Sequence, residues 1–548
     1  MPLQKNQVLT LQVERLSSDG SGVAHSPEGE TVFIPGAAPG DEARVRIVKD
    51  CKRYAFGILD EVLTPSPDRI PVDCAVAGPC GGCSLRHLDY AAELRAKQEN
   101  VADAFARIGG LDVPLLPIVG SPEIDRYRNK VQFPVGTDKA GRPCIGFYAG
   151  RTHRIVPCPD CRLQPGVLNE IGNTLCAFFA EKGIHPYNEE TGKGLVRHIF
   201  LRRGAHSGQI MVCLVCTRAK LPSADELCTR LKEAFPDIVT ILLNVNAKNT
   251  NVILGSETHT LYGQGYIEDT LCGVPVQLGP LSFYQVNTLA AEQLYGIAAE
   301  YAQLTSDDLL LDLYCGMGTI GLSMADHCRE LVGVEIVPEA IESAKANAAR
   351  MGAAVSAKSR FFCADAGQAA AQLAAEGLHP DVVMLDPPRK GCDEATLSAV
   401  VRMAPRRVVY VSCNPATAAR DAAWLEQNGY HAEKVQPVDL FPRTKHVEAV
   451  LLLTKLNVER HIEVDVSIDE LNVTAAESKA TYNEIRDYVW EHHQLKVSNL
   501  YIAQVKQKYS IIERENYNKA KNENAKQPKC PKEKEDAIVE ALKHFQMI

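Results

Sequence analysis

The sequence predicts an α/β protein. A Rossmann-like, doubly wound parallel sheet is preceded by an OB-like β-barrel and a mixed central domain, and followed by a helical tail. Three observations carry this reading. From about residue 280 to 455, apolar strand runs alternate with helix-patterned stretches, as in a series of βαβ units. Five short strand-like runs separated by Gly and Pro crowd residues 1–62, enough for a small closed barrel. Beyond about residue 457 the alternation stops and polar, helix-patterned segments replace it.

Composition sets the outer bounds. A chain of 548 residues implies several domains, and 45% hydrophobic residues suffice for real cores. There is no apolar run of about 18 residues, so no spanning helix is expected. The opening MPLQKNQVLTLQVERL lacks the apolar centre of a signal peptide. The expectation is a cytoplasmic monomer with no membrane partner. In that compartment 18 cysteines point to metal binding or catalysis ahead of disulfides. The formal net charge of −9 excludes a protein coated in basic patches but not local ones. Residues 126–162 hold eight Lys/Arg, Arg151 among them, against two Asp, and RVRIVKDCKR (Arg44–Arg53) holds five against one acid.

In chain order, VLTLQVERL, GSGVAH, TVFIPG, DEARVRIVKD and YAFGILDEVL are the barrel strands, and TPSPDRIPVD is a Pro-rich linker. A central domain over 70–275 opens with Cys74, Cys80 and Cys83 in a Gly-rich loop. YAAELRAKQENVADAFARIGG places Leu94, Val101, Phe105 and Ile108 near helical spacing, with Gly109 as the stop. Residues 120–270 are strand-rich, and within them Cys213 and Cys216 (CLVC) lie on opposite faces of an apolar strand, which makes them core. The α/β domain spans 276–455 and the tail 457–548. In the tail AESKATYNEIRDYVWEHHQ and SNLYIAQVKQKYS read as two helices, the second capped by Ser498. NKAKNENAKQPKCPKEKED is a low-complexity stretch expected to be flexible, and AIVEALKHF is a final helix. A helix-turn-helix contact with nucleic acid and a helical interaction module fit the tail equally well.

The richest stretch for chemistry is LLLDLYCGMGTIGL, Leu309–Leu322. It is a buried strand, a turn and a helix start in which Gly316, Gly318 and Gly321 fit G-x-G-x-x-G. Such glycines let a ligand approach the backbone. Glu335 ends the next strand 23 residues after Asp312, where an acid can bind ribose hydroxyls. This much serves a nicotinamide dehydrogenase or a methyltransferase using S-adenosylmethionine. Two later strand tips favour the second: Asp386 in VVMLDPPRKG, a motif suited to holding a planar base, and Asp365 in FCADA, placed near an adenine. A thiol, Cys413, stands at a further tip in VVYVSCNPAT, ahead of an Asn-Pro turn. Buried Cys often packs as a small hydrophobe, but strand ends of α/β proteins are where catalytic groups sit.

LSFYQVN, DLYCGMGTIGL, GVEIVPEAIESAKANA, LDPPRKG, YVSCNPAT and HVEAVLLL together resemble the bacterial RNA uracil-C5 methyltransferases, nearest the 23S rRNA (uracil-5-)-methyltransferase branch, over residues 1 to about 455. The resemblance implies a reaction, methylation of a uridine C5 in 23S rRNA from S-adenosylmethionine, with tRNA as the alternative substrate. A catalytically inactive RNA-binding iron-sulfur protein is a remoter alternative, and an oxidoreductase shares only the Gly-rich turn. The resemblance also implies roles. Gln285, Tyr314, Glu335 and Asp386 would contact S-adenosylmethionine beside Gly316, Gly318 and Asp365. Cys413 would be the nucleophile and Glu448 the general base. The N-terminal barrel would be a TRAM RNA-binding domain, and Cys74, Cys80, Cys83 and Cys161 would ligate a [4Fe-4S] cluster. Spacing alone leaves zinc as the metal alternative and Cys158 as an alternative fourth ligand.

The chemistry accounts for these residue types. Uracil C5 is a poor nucleophile until a thiolate adds at C6, after which C5 attacks the sulfonium methyl group and a base removes the C5 proton. The surroundings of Cys413 are expected to lower its pKa. Asn414 is expected to meet the uracil edge, and Arg389 the base or its phosphates. RYRNKVQF, with Arg126, Arg128 and Lys130 interleaved with aromatics, is expected to be a strand facing RNA, with Arg202 and Arg203 adding charge.

Overall fold

A computed structural model of the chain describes residues 3–150, 152–248, 250–456, 482–509, 530–545 and 547, in two units divided after Asn457. Arg151, the start of the first tail helix (476–481) and most of the low-complexity stretch (518–529) lie outside the described residues. Among the described residues no helix is long and apolar enough to cross a membrane.

The first unit begins with β1 (Val8–Leu16), β2 (Ser21–His25), β3 (Thr31–Pro35), β4 (Glu42–Asp50) and β5 (Tyr54–Thr64). They close into a barrel in the order β1-β2-β3-β5-β4. In β4 the residues alternate in and out with the strand period, so Ala43, Val45 and Ile47 are fully buried while Arg44 and Arg46 face outward.

The helix Tyr90–Asp103 is capped by Asp89, whose carboxylate accepts from Ala92 N at 2.7 Å. It runs on as a wider π-helical turn, Ala104–Gly109, and ends at Gly110, one residue beyond the expected stop. The two glycines divide the work. Gly110 takes the left-handed cap conformation at φ +63°, while a side chain on Gly109 would stand 3.0 Å from the Ala419 carbonyl.

A second sheet holds β6 (Lys130–Thr137), β7 (Pro143–Tyr148), β8 (Ile155–Pro157), β9 (Val196–Arg203), β10 (Ile210–Cys216), β11 (Ile238–Val245) and β12 (Glu257–Tyr262). Its order is β12-β11-β10-β9-β6-β7-β8. Cys213 and Cys216 are fully buried in β10. A hairpin of β13 (Ile267–Leu271) and β14 (Val274–Leu278) leads into the α/β region.

That region carries β15 (Leu309–Leu313), β16 (Glu330–Glu335), β17 (Ser359–Cys363), β18 (Val382–Leu385), β19 (Arg407–Ser412), β20 (Tyr430–Val438) and β21 (Glu448–Lys455). The sheet order is β17-β16-β15-β18-β19-β21-β20. β15 to β19 are parallel, and β21 enters antiparallel between β19 and β20. β15, β18 and β19 are buried along nearly their whole length, as strands covered on both faces must be.

A buried charge cluster joins the helix Tyr90–Asp103 to the loop before β21. Lys97 Nζ donates to Glu93 and Asp439, each at 2.7 Å, and to the Phe441 carbonyl at 3.1 Å. Tyr90 donates to Asp439 at 3.0 Å, and Arg443 N donates to Glu93 at 2.7 Å. Removing one partner of such a buried pair typically costs about 3–5 kcal/mol, because the other charge is stranded.

The second unit contains helices Tyr482–His493, Asn499–Lys508 and Lys532–His544 around Ile485, Val489, Ile502 and Ile538. Ser498 caps the second, accepting from Tyr501 N. The third starts five residues before the expected AIVEALKHF, inside the stretch read as low-complexity.

Candidate active site

Sheet register gathers the candidate residues at one edge. Leu313 pairs with Val334 and Leu385, so the next residues, Tyr314, Glu335 and Asp386, stand side by side, Glu335 as the last residue of its strand and the other two just past theirs. Ser412 pairs with Ala449 in the antiparallel ladder. The next step along both chains puts Cys413 opposite Glu448. These residues line one cavity of about 1000 Å³.

The nucleotide half is built by the turn after β15. Tyr314 and Gly318 adopt left-handed conformations, at φ +67° and +78°. Gly321 is required by close packing, since a Cβ there would lie 2.8 Å from both Asp312 Oδ2 and Leu331. Asp312 Oδ2 accepts from Gly321 N at 3.0 Å, and burial pushes its carboxyl up to about 8. Glu335 accepts from Gly316 N at 3.1 Å and Val337 N at 2.9 Å, which fixes the carboxylate yet leaves lone pairs for a ligand. Asp365 lines the same cavity and caps the helix Ala366–Ala375 through Gly367 N and Gln368 N. Gln285 lies in the loop before the helix Thr288–Ala302, with its carbonyl held by Asn129 Nδ2 at 2.8 Å.

Sequence reading missed the apolar surfaces of this half. Ile336 is 62% exposed and Phe283 72% exposed, both inside the cavity, where they offer apolar faces to an adenosine-sized ligand. The signal for Ile336 was an apolar residue continuing past the strand-ending acid in GVEIVPE. A fixed ribose-range carboxylate, a Gly turn open to the ligand and unsatisfied apolar faces together fit S-adenosylmethionine.

The reacting half is dominated by buried acids. Glu448 is 6% exposed, and burial followed by the Asp386 charge pushes its carboxyl up to about 8, with Arg389 opposing. Burial pushes Asp386 up to about 7. The Cys413 thiol is raised, contrary to expectation. Burial acts first, then Glu448 and Asp386, and the nearby Arg389 charge offsets only part of this. Asn414 departs from its expected role too: its Oδ1 caps the helix Pro415–Gln427 through Ala416 N, and its Nδ2 donates to the Arg389 carbonyl at 2.9 Å. Its amide positions the turn and keeps one N–H and one Oδ1 lone pair.

Several expected RNA contacts are committed elsewhere. RYRNKVQF becomes a strand only from Lys130. Tyr127 and Phe133 are buried, and the Arg126 guanidinium is held by Asp160 and the carbonyls of Cys161 and Gln164. Arg202 is fully buried and grips the cavity-rim loop through the carbonyls of Gly279 and Ser282, at 2.8 and 2.7 Å. Lys130 is half-buried, and burial with Arg202 and Arg128 lowers it to about 8. Arg128 and Arg389 retain partial or full exposure.

Cys80 and Cys83 lie within electrostatic reach of Cys161, and Cys80 also of Cys74. Cys158 is buried beside Cys161. Among the described residues, however, no three His, Cys, Asp or Glu side chains are gathered as a metal site.

Residues 277–456 match the tRNA (Uracil-5-)-methyltransferase family, and residues 2–59 match the TRAM domain. An uncharacterized RNA methyltransferase of Halalkalibacterium halodurans is 43% identical over 457 residues, covering 83% of this chain and 99% of that protein. Another from Clostridium tetani is 41% identical over 454 residues, covering 83% and 98%. The crystal structure of Pyrococcus abyssi tRNA (uracil-54, C5)-methyltransferase in complex with S-adenosyl-L-homocysteine has a TM-score of 0.65 at 27% identity, covering 82% of this chain and 100% of that one.

The buried acids make ligand-free stability depend on pH. Glu448 ionises near its ordinary 4.5 when unfolded but near 8 when folded, so between these values the folded protein keeps a proton that the unfolded chain has lost. This contribution is complete below 4.5 and is lost as pH rises towards 8. Relative to wild type, Glu448→Gln should therefore gain on the order of 3 kcal/mol between about pH 5 and about pH 8, read by urea unfolding at each pH. A difference that does not change with pH would show that Glu448 ionises normally.

Proposed function

Because this chain belongs to the RNA uracil-5-methyltransferase family and is an S-adenosylmethionine-dependent RNA methyltransferase, we propose that it methylates C5 of a uridine in 23S rRNA through a covalent Cys413 adduct. The observation that carries the mechanism is the meeting of Cys413 and Glu448 at the end of one antiparallel strand pair, in the cavity that also holds Asp386 and the Gly-rich turn.

The target base leaves its stack to enter the cavity. Cys413, as the thiolate, adds to C6, and the ring electrons shift to make C5 nucleophilic. Arg389 favours the thiolate through its positive charge. When bound, S-adenosylmethionine supplies an electrophilic methyl group on a sulfonium centre and brings positive charge to a site of buried acids. Glu448 then takes the C5 proton, and its carboxylate, with a pKa near 8, is a stronger base than an exposed one. The C6–sulfur bond breaks and Cys413 is released. Gln285, Tyr314, Gly316, Gly318, Glu335, Asp365 and Asp386 hold the cofactor and the base in place.

In this reading residues 1–62 are the RNA-binding barrel, 70–275 the central domain, 276–455 the catalytic domain and 457–548 an accessory tail. Support for 23S rRNA comes from the pairing of a TRAM barrel with a cysteine-rich loop. The likeness to the Pyrococcus tRNA enzyme, which extends over 82% of this chain, keeps tRNA as the second reading. Four thiols, Cys74, Cys80, Cys83 and Cys161, would hold a [4Fe-4S] cluster. The neighbourhood suits one: Arg86 Nε is buried without a hydrogen-bond partner among the described residues, on a side chain beside Cys83, and N–H donors of this kind serve cluster sulfurs. The cluster would brace the RNA-facing surface.

Cys413→Ala should lose methyl transfer by several orders of magnitude while still binding S-adenosylmethionine, and Glu448→Gln should accumulate an RNA–protein adduct that survives denaturing electrophoresis. Normal turnover by the cysteine variant would overturn the mechanism. Mass mapping of 5-methyluridine in a deletion strain should show a site missing from 23S rRNA. Loss from tRNA alone would select the second reading. Protein purified without oxygen should carry about four irons and four sulfides; a colourless protein with stoichiometric zinc would contradict the cluster.

A further inference from the structure

A second cavity, of about 560 Å³, adjoins the first. The barrel forms one wall through Arg15 and Phe33, and the catalytic domain forms another through Lys445. Arg389, Cys413 and His446 line both cavities and so make a collar between them. Nucleotide chemistry orients what passes through it. C6 of uracil is bonded to N1, and N1 carries the ribose. A thiol that stands in the collar and bonds C6 therefore sets the base in the larger cavity and the ribose within the collar. The adjoining phosphates then fall towards Lys445 and towards Arg15, whose guanidinium is paired with Asp103 at 2.7 Å.

Of the three collar side chains, Cys413 is taken by C6, and the Arg389 charge serves the thiolate. His446 is left. Its backbone N–H is fixed by Thr444 Oγ1 at 3.3 Å, and its half-buried ring packs edge-on against Phe441 at 5.9 Å. Among the described residues no hydrogen bond engages the ring nitrogens. Burial, with Arg389, Lys445, Lys97 and Arg128 behind it, lowers His446 to about 4. At neutral pH the ring is uncharged and keeps one acceptor nitrogen. Of the cations around it, Lys97 is spent on Glu93 and Asp439 and Arg389 on the thiolate, which leaves Lys445 and Arg128 for phosphate; an uncharged acceptor suits a hydroxyl donor.

We propose that His446 accepts a hydrogen bond from the 2′-hydroxyl of the target uridine, which makes it the positioning residue that selects ribose over deoxyribose at the reacting nucleotide. The proposal rests on the addition of Cys413 to C6. The 2′-hydroxyl is the group by which a protein tells RNA from DNA at a single position.

The test compares a synthetic RNA carrying one uridine, at the mapped site, with the same RNA carrying 2′-deoxyuridine there. Wild type should lose about 3- to 10-fold in kcat/KM on the deoxy substrate. In His446→Ala the two substrates should be equally slow, with a ratio near one, and His446→Gln, which keeps an acceptor, should restore part of the ratio. Binding of S-adenosylmethionine confirms that each variant is folded, and RNA affinity supplies the ratio where turnover is too slow. An undiminished deoxy penalty in His446→Ala overturns the proposal. Cys413→Ala in the same assay separates the two readings. If it still turns over, the covalent reading falls and takes this proposal with it. If it is dead while the deoxy penalty ignores His446, only the role of His446 falls.

Discussion

The pairing of Ser412 with Ala449 is the contact on which the site depends. β15 to β19 run parallel and deliver only their C-terminal ends to the ligand edge. β21 runs the other way and delivers its first residue. A nucleophile that follows one strand and a base that begins another can face each other only across an antiparallel pair. Register decides the rest. A slip of one residue would turn Glu448 to the other face of the sheet and leave the thiol without its proposed base. The fully buried run Val408–Tyr410 against Leu451–Leu453 makes such a slip costly, since it would drive core residues out of their packing.

The loop that feeds β21 needs its own anchor. Lys97 bridges Glu93 and Asp439, the Arg443 guanidinium stands 3.7 Å from Glu93, and Tyr90 and the Arg443 amide complete the cluster. A helix from the central region thereby fixes the approach to His446 and Glu448. Arg202 does similar work on the opposite rim, holding the loop Gly279–Ser282 that precedes Gln285. Residues remote in sequence set the two lips of the cavity, and both anchors are buried charges whose cost these bonds offset only in part, since Glu93 Oε2 and Arg202 Nε have no hydrogen-bond partner among the described residues.

This explains what the sequence made legible. The barrel strands, the Gly-rich turn and the acidic strand tips are local patterns with fixed periods and spacings; the strands close into their own barrel, and the turn and the tips meet at one edge of the α/β sheet. Arg126 and Arg202 were not legible as structural residues, because a basic residue looks the same in sequence whether it faces solvent or caps a buried carbonyl. The environment of Cys413 was misread for a related reason: the acids that raise it lie 27 residues before it and 35 after it. The apolar faces of Phe283 and Ile336 were not singled out, because an apolar residue beside a strand end carries no sign of whether it packs inward or lines a cavity. The cysteine-rich loop was legible as a grouping of thiols, while their reach towards Cys161 depends on tertiary structure.

The central claim is that Cys413 bonds the uracil ring. RNA carrying 5-fluorouridine at the target tests it most directly, because fluorine at C5 cannot leave as a proton and the adduct stalls. Digestion and mass spectrometry of the trapped complex should find the nucleotide on the peptide that contains Cys413. A nucleotide on any other residue, or methylated RNA released with no adduct, would contradict the account.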